Sequence, residues 1–221
     1  MGIIATQTEK KTGYEIVPSG THIARCYSMI HIGTIEEEYM GEKKDRNKVR
    51  LGFEIPSEMR TFGDKEMPMS ISKEYTLTMF EKGNLRKDLE SWRGKGFSDA
   101  EANSFDITKL LGVPCMISVV HKTSKKGTEY ALISTISPLM KGSKCPNMYN
   151  KEFQFNYNDN YDSSWLDNEC PEYLATQIKN SQEYGKTRLE EHTGIPAVDN
   201  VITSIEEGLD HKGEYKDDLP F

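Results

Sequence analysis

The stretch that most restricts the fold is "KVRLGFEI", Lys48 to Ile55. Val49, Leu51, Phe53 and Ile55 fall on one face and Lys48, Arg50, Gly52 and Glu54 on the other. A period of two belongs to a strand buried on one side; a helix, with its 3.6-residue period, would scatter those side chains. The alternation returns in "MSISKEYTLTMF", where Ile71, Lys73, Tyr75, Leu77 and Met79 oppose Ser72, Glu74, Thr76 and Thr78. Two further runs, "PCMISVVHK" and "TEYALISTISP", are joined by "TSKKG", which has the length and glycine position of a hairpin loop. Ahead of all these, "GTHIARCYSMIHIGTI" (Gly20 to Ile35) is rich in β-branched and apolar residues and reads as a first long strand. The charged stretch Glu36 to Asn47 and the turn-rich stretch Pro56 to Pro68 are expected as loops on either side of the second strand.

Between the third and fourth strands the period changes. Leu85, Leu89 and Trp92 fall at i, i+4 and i+7, with Asn84 placed as N-cap and Gly94 as a stop, so a helix is expected there with Trp92 in the core. Ser98 to Glu101 has capping-box spacing, and "DITKLLG" predicts a short helix from Asp106 to a Gly112 cap. Strand, strand, strand, helices, strand, strand is the chain order of an OB-fold. That is a mainly-β, partly open barrel of five strands, which binds oligonucleotides on its strand 2–3 face and on its 1–2 and 4–5 loops. Another five-stranded barrel or a sandwich would share the order.

Beyond Pro138 the chain turns polar, aromatic and Asn-rich, with a helix carrying Leu174 and Ile178, and then loses periodicity. The expected organisation is a lead-in over 1–19, the barrel over 20–140, an extension with a short helix over 141–204, and an acidic disordered tail over 205–221. Charge divides the same way. Residues 1–140 carry 20 Lys/Arg against 19 Asp/Glu, whereas residues 141–221 carry 8 against 16, which together give the net charge of −7. A near-neutral body with an acidic end points to two jobs, since charged terminal arms commonly serve interactions.

No nucleotide-binding glycine motif, zinc-protease helix or nucleophile elbow occurs, and the five histidines, His22, His31, His121, His192 and His211, follow no local partner pattern. A non-enzymatic protein without a cofactor is therefore expected. Asp159, Asp162, Asp167 and Glu169 lack the spacing and glycine of a calcium loop and read as a solvated acidic loop rather than as metal ligands. The four cysteines, Cys26, Cys115, Cys145 and Cys170, show no zinc-ligand spacing and read as reduced thiols in a cytoplasmic protein. No run is long and apolar enough for a membrane span, and no secretory leader is expected.

What remains points to nucleic acid. "KKDRNKVR" places Lys43, Lys44, Arg46, Lys48 and Arg50 in the first loop and along the outward face of the second strand. Lys73 on the third strand and Lys122, Lys125 and Lys126 around the 4–5 loop add to them, and a further basic group, Arg86, Lys87, Arg93 and Lys95, surrounds the Trp92 helix. Phosphates call for several cations along one groove, because each neutralised phosphate releases counterions. Bases call for flat partners, and Tyr39, Phe62, Tyr75 and Tyr130 are the candidates for stacking, with Tyr75 and Tyr130 sharing the parity of core positions.

From about Gly20 to Pro138, "GTHIARCYSMIHIGTI", "KVRLGFEIP", "SISKEYTLTMFEKGNLRKDLESWRGKGF", "FDITKLLGVPCMISVVH" and "YALISTISPL" resemble the phage-encoded single-stranded DNA-binding proteins of OB-fold type. The final "DDLPF" is similar to the acidic, Pro-Phe-terminated tail of bacterial single-stranded DNA-binding proteins, although only Asp217 and Asp218 are adjacent here, behind Lys216. The resemblance implies sequence-tolerant coating of single-stranded DNA in phage replication, recombination and repair, in the host cytoplasm, by a chain that could self-associate. It also implies that Asp217, Asp218, Leu219, Pro220 and Phe221 dock phage or host replication and recombination proteins. The rival expectation is a replisome adaptor whose barrel is a scaffold with weak or indirect DNA binding.

Overall fold

The alternation at Lys48 to Ile55 becomes the centre of a curled antiparallel sheet. In a computed structural model, which describes residues 15–39, 41–157 and 163–193, the protein is mainly β. Strands β1 (Gly20–Tyr39), β2 (Glu42–Phe62), β3 (Lys65–Thr76), β4 (Pro114–Thr123) and β5 (Glu129–Ser137) lie in the order β3-β2-β1-β4-β5. The sheet forms half a barrel, and its two ends, β3 and β5, come into contact. A short strand β6 (Phe153–Phe155) runs parallel to β1 at Ser28 to Ile30, just beyond the point where the β1–β4 ladder ends at Arg25↔Pro114.

Helical material separates β3 from β4, as the change of period predicts: α1 (Asn84–Arg93), α2 (Asp99–Asn103) and a single 3₁₀ turn, Ile107–Leu110. Helix α1 lays Leu85, Leu89 and Trp92 on the core alongside Phe53, Ile55, Ile117 and Ile136, and contacts both β3 and β5. Burial of this stripe, rather than a side-chain cap at its N-terminus, holds α1. Its N-cap is Gly83 with no side-chain hydrogen bond, so Asn84 opens the helix instead of capping it. The capping box at Ser98 and Glu101 forms as expected, whereas "DITKLLG" makes only the 3₁₀ turn, capped by the Asp106 carboxylate.

Both expected loops around β2 are strands. Glu36 to Asn47 continues β1 and β2 as a charged ribbon that turns at Gly41, whose φ of +80° suits a residue without a Cβ. Charge does not prevent pairing where both faces are open, and Lys43 meets Glu36 across the ribbon at 2.7 Å. Pro56 to Pro68 is likewise the end of β2 and the start of β3. The register slips between Ile55 and Met59, so that residues 56–58 bulge, and Pro56, which has no N–H for a ladder, sits in the bulge.

The chain divides into two units. Among the described residues the first holds 15–31 and 46–156, and the second holds 32–39, 41–45, 157 and 163–193. The division therefore falls inside β1 and β2 and after Asn156, whereas the composition shifts near Met140. Residues 145–156 belong to the first unit because Arg25 donates to the carbonyls of Cys145 and Pro146, and because β6 joins the sheet. The second unit contains the ribbon and helices α3 (Ser163–Asn168), α4 (Glu172–Lys179) and α5 (Gln182–Thr193). There Glu183 accepts from the N–H and hydroxyl of Thr34 at 2.6 and 2.7 Å, Gln182 donates to Asp45, and Tyr157 donates to the carbonyl of Ile32. Leu174 and Ile178 are buried on α4, as their spacing predicts. Among the described residues no helix is long and apolar enough to cross a membrane.

Candidate functional site

An open groove of about 550 Å³ lies on the first unit, lined from four strands and from the segment before β1. Strand β1 contributes Tyr27, β2 contributes Arg50 and Arg60, β3 contributes Met67 to Ser72, and β5 contributes Tyr130 and Ala131. Residues Glu15 to Val17 close one side, and Asn150 reaches in from the segment before β6. Strand parity accounts for Arg50. Val49, Leu51, Phe53 and Ile55 turn into the core, which leaves Arg50 on the opposite face of β2.

Each guanidinium is oriented by a glutamate residue. Arg50 is paired with Glu74, its cross-strand partner on β3, at 2.6 Å. Arg60 donates to the carbonyl of Glu15 at 3.0 Å and lies 3.7 Å from its carboxylate. Tyr130 is 43% exposed, and Lys122 sits directly opposite it on β4, so both side chains leave the same side of the sheet. Lys125 and Lys126 are exposed in the adjoining β4–β5 turn. Two guanidinium planes, two phenol rings and three lysines thus share one region of the first unit. Guanidinium forks match phosphate oxygens, and phenol rings offer faces on which bases can stack.

The run "KKDRNKVR" is not one patch. Lys43 and Lys44 belong to the second unit, where they pair with Glu36 and Glu42 at 2.7 Å each, and the Glu36 hydrogen bond raises the pKa of Lys43. Arg46, Lys48 and Arg50 belong to the first unit and are half-buried.

Tyr75 and Lys73 are not groove residues. Tyr75 is only 4% exposed, so its ring has no free face for a base, and its hydroxyl donates to Asp88 of α1 at 2.7 Å. Lys73 donates to the same carboxylate at 2.6 Å and lies over the Tyr75 ring. Burial, followed by the nearby Asp88 carboxylate, drives the Tyr75 hydroxyl far above its ordinary pKa.

Trp92 is buried, as its place on the helix stripe predicts, and donates to the carbonyl of Pro114. Around it, Arg86 is held by Glu90 and by the carbonyls of Met79 and Phe97, and Arg93 pairs with Glu101 and stacks on Phe97. Tyr39 lies at the end of β1 and Phe62 at the end of β2, with their side chains outside the described residues. Asp159, Asp162, His192's side chain, His211 and the tail residues Asp217, Asp218, Leu219, Pro220 and Phe221 also lie outside them.

Tyr27, Arg60 and Asn150 escape a reading of the sequence. Tyr27 carries a signal, since Arg25 and Tyr27 share the parity opposite Ala24 and Cys26. Arg60 sits in the stretch expected as a loop, and nothing in the local pattern marks Asn150. The other reactive side chains have structural partners. His22 engages the Pro18 carbonyl and Glu58, and His121 engages the Val17 carbonyl and Glu129. Burial and the charge of Glu152 push the Cys26 thiol up to about 12, and burial raises Cys115 as well. Among the described residues no group of three or more His, Cys, Asp or Glu side chains is placed to hold a metal ion. No protein-family model matches the chain, and no curated protein matches it.

Proposed function

We propose that this protein binds single-stranded DNA along the groove of its first unit, without strong sequence preference. The observation that carries the reading is the convergence of Arg50, Arg60, Tyr27 and Tyr130 on one open groove, with Lys122 beside Tyr130 and Lys125 and Lys126 in the adjoining turn. Cations along a path and rings facing out of it are what sequence-tolerant strand binding needs. The strand order, the contact of β3 with β5 and the helices between β3 and β4 support an OB-type barrel, and a groove across β2 and β3 is the usual binding face of that architecture. On this reading the protein coats exposed strands during phage replication, recombination and repair. Asp217 to Phe221 then serves as the ligand for partner enzymes.

Anisotropy titration of a fluorescent thymidine 30-mer against the full chain at rising salt tests the reading. Affinity should fall along a straight log–log line, with a slope of about −0.7 for each phosphate contacted. Reversing Lys122, Lys125 and Lys126 to Glu should flatten that slope by about 2. Absence of binding at low salt, or affinity indifferent to salt, overturns the proposal.

One observation favours the adaptor reading for the second unit alone. The ribbon lysines, Lys43 and Lys44, belong to the second unit and are not among the residues that line the groove. If Lys44→Glu leaves DNA affinity unchanged while the groove substitutions abolish it, the ribbon belongs to partner recognition.

A further inference from the structure

Glu54 is on the polar face of β2, yet it is fully buried. One carboxylate oxygen accepts from the backbone N–H of Tyr149 at 2.8 Å, and the other accepts from the N–H of Asn150 at 2.8 Å and from its side-chain amide at 2.5 Å. Three donors compensate the loss of water around the charge, which an unpartnered buried carboxylate could not survive. If the only need were to stick this segment to the sheet, an apolar side chain would serve as well, since buried ionic groups are weak sources of stability. What the carboxylate adds is direction, because it fixes two consecutive backbone N–H groups and one side chain at once.

One of the residues so fixed, Asn150, lines the groove, and its chain neighbour Tyr149 is 56% exposed. Arg25 pins the same segment at Cys145 and Pro146. A large aromatic ring is thus held out to solvent on a backbone anchored at two places, and its ordering cost is met on folding rather than on binding.

We infer that Tyr149 is a base-stacking residue of the groove and that Glu54 is the residue that positions it. This rests on the reading of the groove as a site for single-stranded DNA. The segment after the five-strand sheet is then part of the binding surface.

The test is a double-mutant cycle on the full chain, read by anisotropy with the thymidine 30-mer. Tyr149→Ala should weaken binding roughly tenfold, within the range for one stacked base, while leaving the salt slope unchanged because no phosphate contact is lost. Tyr149→Phe, which keeps the ring, should bind like the unaltered protein. Glu54→Gln turns an amide donor toward the backbone N–H groups and should weaken binding to a similar extent, and adding Tyr149→Ala to it should cost little more. Should Glu54→Gln fail to fold, Asn150→Ala, which removes only one of the three donors, takes its place in the cycle. Unchanged affinity in Tyr149→Ala overturns the stacking role while leaving the groove's function standing, and additive losses overturn the positioning role of Glu54. Absence of binding by the unaltered protein overturns the function and this inference together.

Discussion

Asp88 accepts from both Lys73 and Tyr75, so one carboxylate on α1 fixes two side chains of β3. Glu101 has a comparable role on α2. Its carboxylate accepts from the Ser98 N–H at 3.0 Å and pairs with Arg93 at 2.9 Å, and these partners, the Ser98 hydrogen bond first, hold its pKa down at about 2. A carboxyl depressed on folding adds stability at pH values above its unfolded pKa of about 4.3 and loses it as the pH falls through the folded value. The melting temperature of the unaltered protein should therefore exceed that of Glu101→Gln by a constant margin above about pH 5, and the margin should close toward about pH 2. Thermal melts of the two proteins across that range measure it. A margin that widens on acidification would show that Glu101 is not held by its partners.

Element by element, the alternating strands and the α1 stripe were readable because burial imposes a period, and β2, β4, β5 and α1 lie where their periods place them. Helix α1 also stops where expected. Gly94 adopts φ +70°, where a Cβ would be strained, so Gly94→Ala should destabilise the fold by about 1 kcal/mol in urea denaturation. The ribbon and the ends of β2 and β3 were not readable, because the ribbon is largely exposed and the half-buried side of the β2 end carries Glu58 and Arg60, so neither shows an apolar alternation. The same limit applies to the site. Tyr75 shares the parity of buried neighbours on β3 and is enclosed beneath α1, whereas Tyr130 matches the parity of buried Ile136 only across a register shift, lies on the face opposite Ile133 and is exposed. Neither a Glu in a strand nor a Tyr in an Asn-rich segment announces that the two will meet, since Glu54 and Tyr149 are brought together only by the tertiary fold.

At the scale of the molecule, two sets of buried apolar residues have formed. The larger belongs to the first unit and contains Phe53 and Trp92; Ile32, Leu166, Leu174, Ala175 and Ile178 are buried in the second. Each unit has one of the chain's 2 tryptophans, Trp92 in the first and Trp165 in the second, so single-tryptophan variants can report on each. Ile178→Ala should lower the stability reported by Trp165 in the Trp92→Phe background by about 2–5 kcal/mol. It should move the value reported by Trp92 in the Trp165→Phe background by less than about 0.5 kcal/mol. Equal shifts in both would mean a single cooperative transition. The ladder joining Gly20 to Val119 has a further consequence, during synthesis. While a ribosome extends the chain from β1 to β4, which takes on the order of ten seconds, one side of β1 has no partner. Ala24 and Cys26 then lie along a bare strand edge, the kind of edge that invites another nascent chain to pair with it. Yield in a cell should therefore depend on how quickly β4 emerges, and slowing translation between the codons of Thr76 and Pro114 should increase aggregation without changing the finished protein.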